Sequence, residues 1–171
     1  MKKIVSIIGT RSQYIKLKPI YDQFNKINKT LTLNNQLKHI IINTSQHYDY
    51  NMSKIFFEDL IIENIDYHLD IDYSSISNQG EQTALMIKKL EELILKIQPD
   101  IVLVYGDTNS TLAGAIVCSK LKILIAHIEA GLRSYNKLMP EEINRILTDN
   151  ISTFLLCPTK KLNTKSKKIR L

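Results

Sequence analysis

Three carboxylates stand where a protein could use them as acids and bases: Asp107 in GDTNS, Glu129 in HIEAGLR and Glu141 in MPEEINR. Other polar side chains occur in the same kind of setting, where an apolar run gives way to polar residues: Arg11, Lys16, Gln46, His47, His127 and Arg133. Neighbouring charges can push carboxylate pKa values apart, so that one group donates a proton while another accepts it. Acids that face cations therefore predict acid–base chemistry on an anionic substrate.

Two of the carboxylates have a simpler interpretation that stays open. Asp107 could cap the helix predicted to start near Thr108, which is a common task of aspartate. Glu129 follows an apolar run directly, and burying it would be costly unless it has a use or a partner such as Arg133.

The remaining motifs also have structural alternatives. Glu141 and Glu142 could be first-turn acids that the helix dipole favours, with Glu141 pairing Arg145 one turn later. His47 could be a surface residue. The GTR tripeptide that contains Arg11 could be a tight turn, since it lacks the further glycines of a dinucleotide-binding fingerprint. The position that these motifs share is what favours a functional site.

The elements that must position these residues are strands. Five apolar runs are typical of strands buried on both faces of a parallel sheet, and they span residues 3–8, 37–44, 101–105, 123–126 and 153–157. Each run ends in a polar cluster: GTR, SQHYD, GDTNS, HIEAGLR and CPT. Ligands of open α/β sheets bind at the carboxyl ends of the strands. We therefore expect one active site at that edge.

Helical periodicity separates the strands. It predicts a first helix around residues 17–27, which Pro19 should kink or begin, and further helices over 52–60, 78–98, 110–120 and 141–150. Asn78 and Glu81 have the spacing of a capping box. Residues 26–36 are predicted to be a surface loop and 67–71 a short extended segment. Alternating strands and helices predict an α/β fold with a Rossmann-like, doubly wound parallel sheet.

Composition narrows the class of protein. A chain of 171 residues, 44% hydrophobic and 23% charged, is typical of one globular domain. The net charge of +6 does not indicate a nucleic-acid partner, because the basic residues after Thr159 account for it. Two distant cysteines, Cys118 and Cys157, predict core residues and neither a metal clip nor a disulfide framework. No metal or cofactor is predicted. No stretch is apolar enough for a membrane span, so we expect a cytoplasmic protein.

Seven motifs occur in order between Lys2 and Thr159: GTR, SQHYDYNMSKIFFEDL, GEQT, VYGDTNSTLAGA, AHIEAGLRS, MPEEINRILTD and CPT. Together they resemble the N-terminal domain of the non-hydrolysing UDP-N-acetylglucosamine 2-epimerase family. The resemblance implies two Rossmann-like domains in a GT-B-type arrangement, with the active site between them. This chain looks like the N-terminal half of such a protein.

The resemblance also implies a reaction. UDP is eliminated across C1–C2 of the sugar and added back after a proton reaches the other face of C2, which converts UDP-N-acetylglucosamine into UDP-N-acetylmannosamine. The implied catalytic residues are Asp107, Glu129 and Glu141, without assignment of which removes and which returns the proton. The implied substrate-binding residues are Arg11 at the diphosphate, Lys16 nearby, Gln46, His47, His127 and Arg133. Gln46 and His47 also match a second, regulatory nucleotide-sugar pocket of some bacterial members.

The chain departs from the family pattern at residues 12 and 45 and after Thr159. Ser12 replaces a usual proline, and Ser45 replaces a usual glycine. Residues 1–159 are expected to form the N-terminal domain, residues 160–171 a basic disordered tail, and the C-terminal domain to be absent. Without that domain the chain alone is expected to be inactive. Full-length members of the family are expected to form homodimers. Two alternatives stay open: half of a UDP-2,3-diacetamido-2,3-dideoxyglucuronate 2-epimerase, or a non-catalytic fragment that binds a nucleotide sugar or a partner epimerase.

Overall fold

The computed structural model describes residues 1–46, 62, 65–73, 76 and 78–159. Within these ranges the chain forms six strands: β1 (Lys2–Ile8), β2 (Leu37–Asn43), β3 (Tyr67–His68), β4 (Ile101–Tyr105), β5 (Leu124–Ile128) and β6 (Phe154–Leu156). The α-helices of the same ranges are α1 (Arg11–Asn28), α2 (Gln79–Ile97), α3 (Asn109–Lys120) and α4 (Pro140–Ile151). A short 3-10 helix spans Leu33–Asn35.

All six strands run parallel in one sheet, in the order β3-β2-β1-β4-β5-β6. β1 lies at the centre, with Lys2 beside Leu37 of β2 and Ile4 beside Ile101 of β4. The direction of winding reverses between β1 and β4, and in such sheets a crevice opens there at the carboxyl ends of the strands. The predicted Rossmann-like, doubly wound fold is confirmed.

Two apolar layers cover the two faces of the sheet. Val5 and Ile7 of β1 belong to a buried cluster with Met86 of α2, whereas Ile8 belongs to a second cluster with Leu17 of α1. All five side chains are fully buried. Because helices cover both faces, the strands carry continuous apolar runs and lack the alternation of a half-exposed sheet.

The first helix differs from its prediction at both ends. α1 begins at Arg11 and passes through Pro19, so of the two alternatives a helix start just before Pro19 is wrong. The start is fixed earlier because the side-chain oxygen of Gln13 accepts a hydrogen bond of 3.1 Å from the backbone N–H of Thr10. The helix also continues to Asn28, so the predicted loop of residues 26–36 is helical at its start.

The end of β5 and the capping of α2 also differ from the prediction. β5 runs to Ile128, so His127 lies inside the strand, beside Val104 of β4, and does not follow the strand as predicted. Asn78 is the N-cap residue of α2, but its side chain makes no capping hydrogen bond, so the predicted capping box is confirmed only in position.

Several predictions concern residues outside the described ranges. They are the helix over 52–60, the role of His47, and the basic tail over 160–171. In the part of the chain that the structure describes, no helix has the length and apolar character needed to cross a membrane. Cys118 is buried in the core as predicted, whereas Cys157 is partly exposed.

Candidate active site

A cleft of about 590 Å³ opens at the carboxyl edge of the sheet. Four predicted site residues line it: Arg11, Gln46, Asp107 and Glu141. The rest of the lining is Thr10, Ser12, Ile15, Gln79, Thr108, Asn109, Pro140 and Asn144. The structure thus brings the first residues of α4 together with residues that follow β1, β2 and β4. Four other predicted site residues lie outside this lining: Lys16, His127, Glu129 and Arg133.

Helix N-termini converge on the cleft. The first residue of each α-helix in the described ranges lines it: Arg11 of α1, Gln79 of α2, Asn109 of α3 and Pro140 of α4. The first turn of a helix presents N–H groups without intrahelical partners and carries roughly half a positive charge. Four such termini together with the guanidinium of Arg11 make the cleft suited to an anion such as a diphosphate.

Asp107 is held by an arginine from α4. Its Oδ2 accepts hydrogen bonds from Nε of Arg145 at 2.8 Å and lies 2.6 Å from Nη2. Burial alone would lower the pKa of Arg145, but its hydrogen bonds to Asp107 and Glu142 hold that pKa above the usual value. The N-cap of α3 is Thr108, so Asp107 is not the cap of that helix. The carboxylate is therefore ion-paired and fixed at the cleft wall.

Two neighbouring glutamates of α4 differ in their burial and in their partners. Glu141 is exposed on the cleft wall. Glu142 is fully buried, and its carboxylate accepts hydrogen bonds from the backbone N–H groups of Ser134 at 2.9 Å and Tyr135 at 3.0 Å. Although burial raises the pKa of Glu142, these bonds and one from Arg145 at 2.8 Å lower it to about 2. Arg145 therefore pairs with Asp107 and Glu142, and the expected pair with Glu141 is wrong.

Glu129 pairs with Lys16 of α1, and not with Arg133 as the simpler interpretation proposed. Its backbone lies in the left-handed region at φ 70°, a conformation that costs a residue with a side chain about 1–3 kcal/mol. The Lys16 ammonium lies close over the backbone at Gly106, since a Cβ added there would be 3.1 Å from Nζ. Glu129 thus sits at the same sheet edge as Asp107, one strand away.

His127 and Arg133 both contact Asp149 of α4. Nδ1 of His127 lies 2.7 Å from Oδ1 of Asp149, and Nη1 of Arg133 lies 2.6 Å from Oδ2. The His127 side chain has no solvent exposure, and its Nε2 is 2.7 Å from the carbonyl oxygen of Gly106. Direct substrate contact by His127 and Arg133 stays a prediction. In this structure both side chains hold Asp149.

Gln46 links the turn after β2 to the start of α3. Its side-chain oxygen accepts hydrogen bonds from Ser110, at 3.0 Å from the backbone N–H and 2.7 Å from the hydroxyl. Ser45 beside it has φ 55°, a left-handed backbone conformation that glycine adopts more readily than serine. At Gly9 a Cβ would collide with the hydroxyls of Thr44 and Ser110, so the first turn requires glycine.

Gln13 holds the turns of the cleft in place, a role that the sequence analysis did not predict. It is fully buried, and its Oε1 accepts hydrogen bonds from the N–H groups of Gly9 at 2.7 Å and Thr10 at 3.1 Å. Its Nε2 donates to the carbonyl of Tyr105 at 2.7 Å and has the hydroxyl of Thr111 at 2.9 Å. Gln13 thereby ties the turns after β1 and β4. The threonine-to-glutamine spacing of a capping box at 10–13 was the signal that could have revealed it.

The model of one family, described as UDP-N-acetylglucosamine 2-epimerase, matches residues 29–167. The chain belongs to the UDP-N-acetylglucosamine 2-epimerase family. Members of this epimerase family are isomerases. Among the described residues of this member, no group of three or more His, Cys, Asp or Glu side chains could hold a metal ion.

Two relatives show how similar the chain is to other proteins named as epimerases or epimerase homologs. A UDP-N-acetylglucosamine 2-epimerase homolog of Methanococcus maripaludis is 53% identical over 92% of this chain and 41% of its own length. A UDP-2,3-diacetamido-2,3-dideoxy-D-glucuronate 2-epimerase of Pseudomonas aeruginosa is 52% identical over 92% of this chain and 42% of its own length.

A solved epimerase structure agrees with the fold. The Methanocaldococcus jannaschii UDP-GlcNAc 2-epimerase, crystallised with UDP-GlcNAc and UDP, superposes with a TM-score of 0.88 at 46% identity, over 99% of this chain and 44% of that one. The chain therefore spans about two-fifths of the length of the relatives it matches. It corresponds to one half of a GT-B-type epimerase.

Proposed function

We propose that this chain supplies the N-terminal half of the active site of a UDP-N-acetylglucosamine 2-epimerase, which interconverts UDP-N-acetylglucosamine and UDP-N-acetylmannosamine. The observation that carries the proposal is the cleft where Arg11, Asp107 and Glu141 meet, in a chain of this family. The homodimeric assembly stays a prediction from the resemblance, and the cytoplasmic location stays a prediction from the sequence.

The guanidinium of Arg11 and the helix N-termini at the cleft would bind the diphosphate. Arg11 opens α1 at the cleft, and the starts of α2, α3 and α4 surround the same space. An anion there gains from the positive ends of these helices. The same groups would stabilise the charge that develops on UDP when its bond to C1 breaks.

The carboxylates would move the proton at C2. In the elimination a carboxylate takes the C2 proton, the C–H electron pair forms the C1=C2 bond, and UDP leaves C1 with the electron pair of the C1–O bond. In the return step a carboxylic acid gives a proton to the opposite face of C2, and the UDP oxygen bonds C1 again. Asp107 and Glu141 on the cleft wall and Glu129 at the same edge are the candidate acids and bases.

A second nucleotide sugar is also supported. The Pseudomonas relative, named for UDP-2,3-diacetamido-2,3-dideoxy-D-glucuronate, is as similar to this chain as the relatives named for UDP-N-acetylglucosamine. The chemistry at C1 and C2 would be the same in both reactions. The substrates differ at C3 and C6, so both nucleotide sugars belong in the test. A non-catalytic fragment that binds a nucleotide sugar or a partner epimerase is the third candidate.

The test is exchange of the C2 proton. The chain is incubated in deuterated water with each UDP-sugar, alone and with the C-terminal part of the Methanocaldococcus relative co-expressed as a second chain, and C2 is followed by NMR. We expect deuterium at C2 only in the two-chain sample, because positioning by a complete site supplies about 7–11 kcal/mol of barrier reduction.

Variants separate catalysis from simple binding. Asp107→Asn, Glu129→Gln and Glu141→Gln should each lower the exchange rate at least about 100-fold, the usual size of a lost acid or base. Glu92→Gln, at an exposed position on α2, is the matched control and should not change the rate. Exchange that persists in all three carboxylate variants would contradict the proposal. Binding of UDP-sugar without any exchange in the two-chain sample would favour the non-catalytic fragment.

A further inference from the structure

A buried histidine joins the two turns that carry Asp107 and Glu129. The His127 side chain has no exposure to solvent, and each ring nitrogen lies 2.7 Å from an oxygen. The oxygen at Nε2 belongs to the carbonyl of Gly106, which has no proton to give, so Nε2 must donate. The oxygen at Nδ1 is Oδ1 of Asp149.

Oδ1 of Asp149, the oxygen at Nδ1, belongs to an ionised carboxylate. The other oxygen of Asp149 accepts a hydrogen bond of 3.1 Å from the N–H of Gly131 and lies 2.6 Å from Nη1 of Arg133. The ion pair with Arg133 and the hydrogen bond from Gly131 both favour the ionised form of Asp149. An ionised Asp149 can only accept at Nδ1. Both ring nitrogens therefore donate, and the ring is an imidazolium.

We propose that His127 is a positioning residue that works as a buried imidazolium, fixing the Gly106 carbonyl and, through Asp149, the turn that carries Glu129. Its importance for the reaction rests on the proposed function, whereas its protonation and its contacts do not. Gly106 has φ 64° and precedes Asp107 directly, so the orientation of its peptide unit sets where the Asp107 backbone begins. The other end of Asp107 is fixed by Arg145.

The charged groups around His127 come from three elements. Asp149 lies on α4, and Arg133 lies in the segment between β5 and α4. On the other side of Gly106, Lys16 of α1 is close to the backbone and pairs with Glu129. The cluster of His127, Arg133 and Asp149 then carries one net positive charge beneath the edge that holds the catalytic carboxylates, where it favours their ionised form.

The protonation is measured directly by NMR. In the 171-residue chain with nitrogen-15 in its histidine rings, we expect two ring N–H protons on His127 at pH 7.5, both slow to exchange with water. His39 is the control within the same protein, since burial lowers its pKa to about 4 and leaves its ring neutral at this pH. A single protonated nitrogen on His127 would overturn the proposal, whether or not the protein epimerises anything.

A variant tests the positioning. His127→Gln leaves one amide, which cannot donate to two acceptors on opposite sides of the ring position. We expect altered amide shifts at Gly106 and Asp107 and, in the two-chain epimerase, a kcat lower by on the order of 100-fold with KM changed less than about threefold. An increase in KM with kcat unchanged would mean direct substrate contact and would refute positioning. Absence of exchange in the unmodified two-chain sample would instead count against the proposed function, with the NMR result intact.

Discussion

Replacement of Gln13 by methionine should destabilise the whole domain. Methionine keeps the length of the side chain but cannot hydrogen-bond to the groups that Gln13 joins. The backbone N–H groups of Gly9 and Thr10 would lose their acceptor, which lies at 2.7 and 3.1 Å. The carbonyl of Tyr105 would keep a partner, because the hydroxyl of Thr111 donates to it at 2.5 Å.

The magnitude follows from the count of donors left without a partner. A buried N–H without an acceptor costs about 1–3 kcal/mol, so two of them cost about 4 kcal/mol. For a protein of this size that corresponds to a melting temperature lower by roughly 10 °C. The measurement is urea unfolding followed by circular dichroism, with the free energy of unfolding taken from the midpoint and slope.

The matched control lies on the same helix. Gln23 of α1 is exposed, and Gln23→Met should change the free energy of unfolding by less than about 0.5 kcal/mol. If Gln13→Met lost no more than Gln23→Met, the link between the turns after β1 and β4 would contribute nothing to stability. The assignment of Gln13 as the residue that builds the cleft would then be refuted.

Three further predictions concern the backbone and a buried charge. Ser45→Gly should raise the free energy of unfolding by about 1 kcal/mol, because φ is 55° there, and a loss would show that the serine side chain matters more than the backbone. Gly9→Ala should lower the free energy of unfolding by at least about 2 kcal/mol, because the new Cβ would collide with Thr44 and Ser110. The control is Gly80→Ala, which should raise it by about 0.5 kcal/mol because nothing lies within 4 Å of that Cβ. Equal effects of the two substitutions would contradict the predicted collision. Glu142 has its pKa lowered to about 2, so its stabilisation is complete above its unfolded pKa near 4.3 and is lost as the pH falls towards 2. Between about pH 4.3 and about pH 2 the free energy of unfolding of Glu142→Gln should therefore change less than that of the unmodified chain. The same pH dependence in both proteins would disprove this.

The strands could be predicted because the sheet is buried on both faces. Residues such as Val102 and Val104 are fully buried, and a continuous apolar run leaves little alternative to a strand at that length. The end of β5 was harder to predict. His127 is polar and was placed beyond the strand, but Asp149 and the Gly106 carbonyl give its ring partners inside the fold.

Side-chain partners could not be predicted where they come from distant parts of the chain. Glu129 pairs with Lys16, which the sheet order brings near, whereas Arg133 was favoured only because it is close in sequence. Glu141 and Glu142 are neighbours in sequence, yet one is exposed and the other is buried. Which of them faces the interior depends on how α4 packs, and helix propensity or dipole arguments treat both alike.

The cleft depends on the pairing of β1 with β4, two strands that are far apart in the sequence. Ile4 and Ile101 must meet across most of the chain before the turns after these strands can face each other, and long-range parallel pairing of this kind is slow. A folding intermediate that contains only β1 and β2, or only β4 and β5, has one wall of the site and no cleft. A ligand of the cleft therefore binds only the completed sheet, and it stabilises that state without speeding the steps that lead to it.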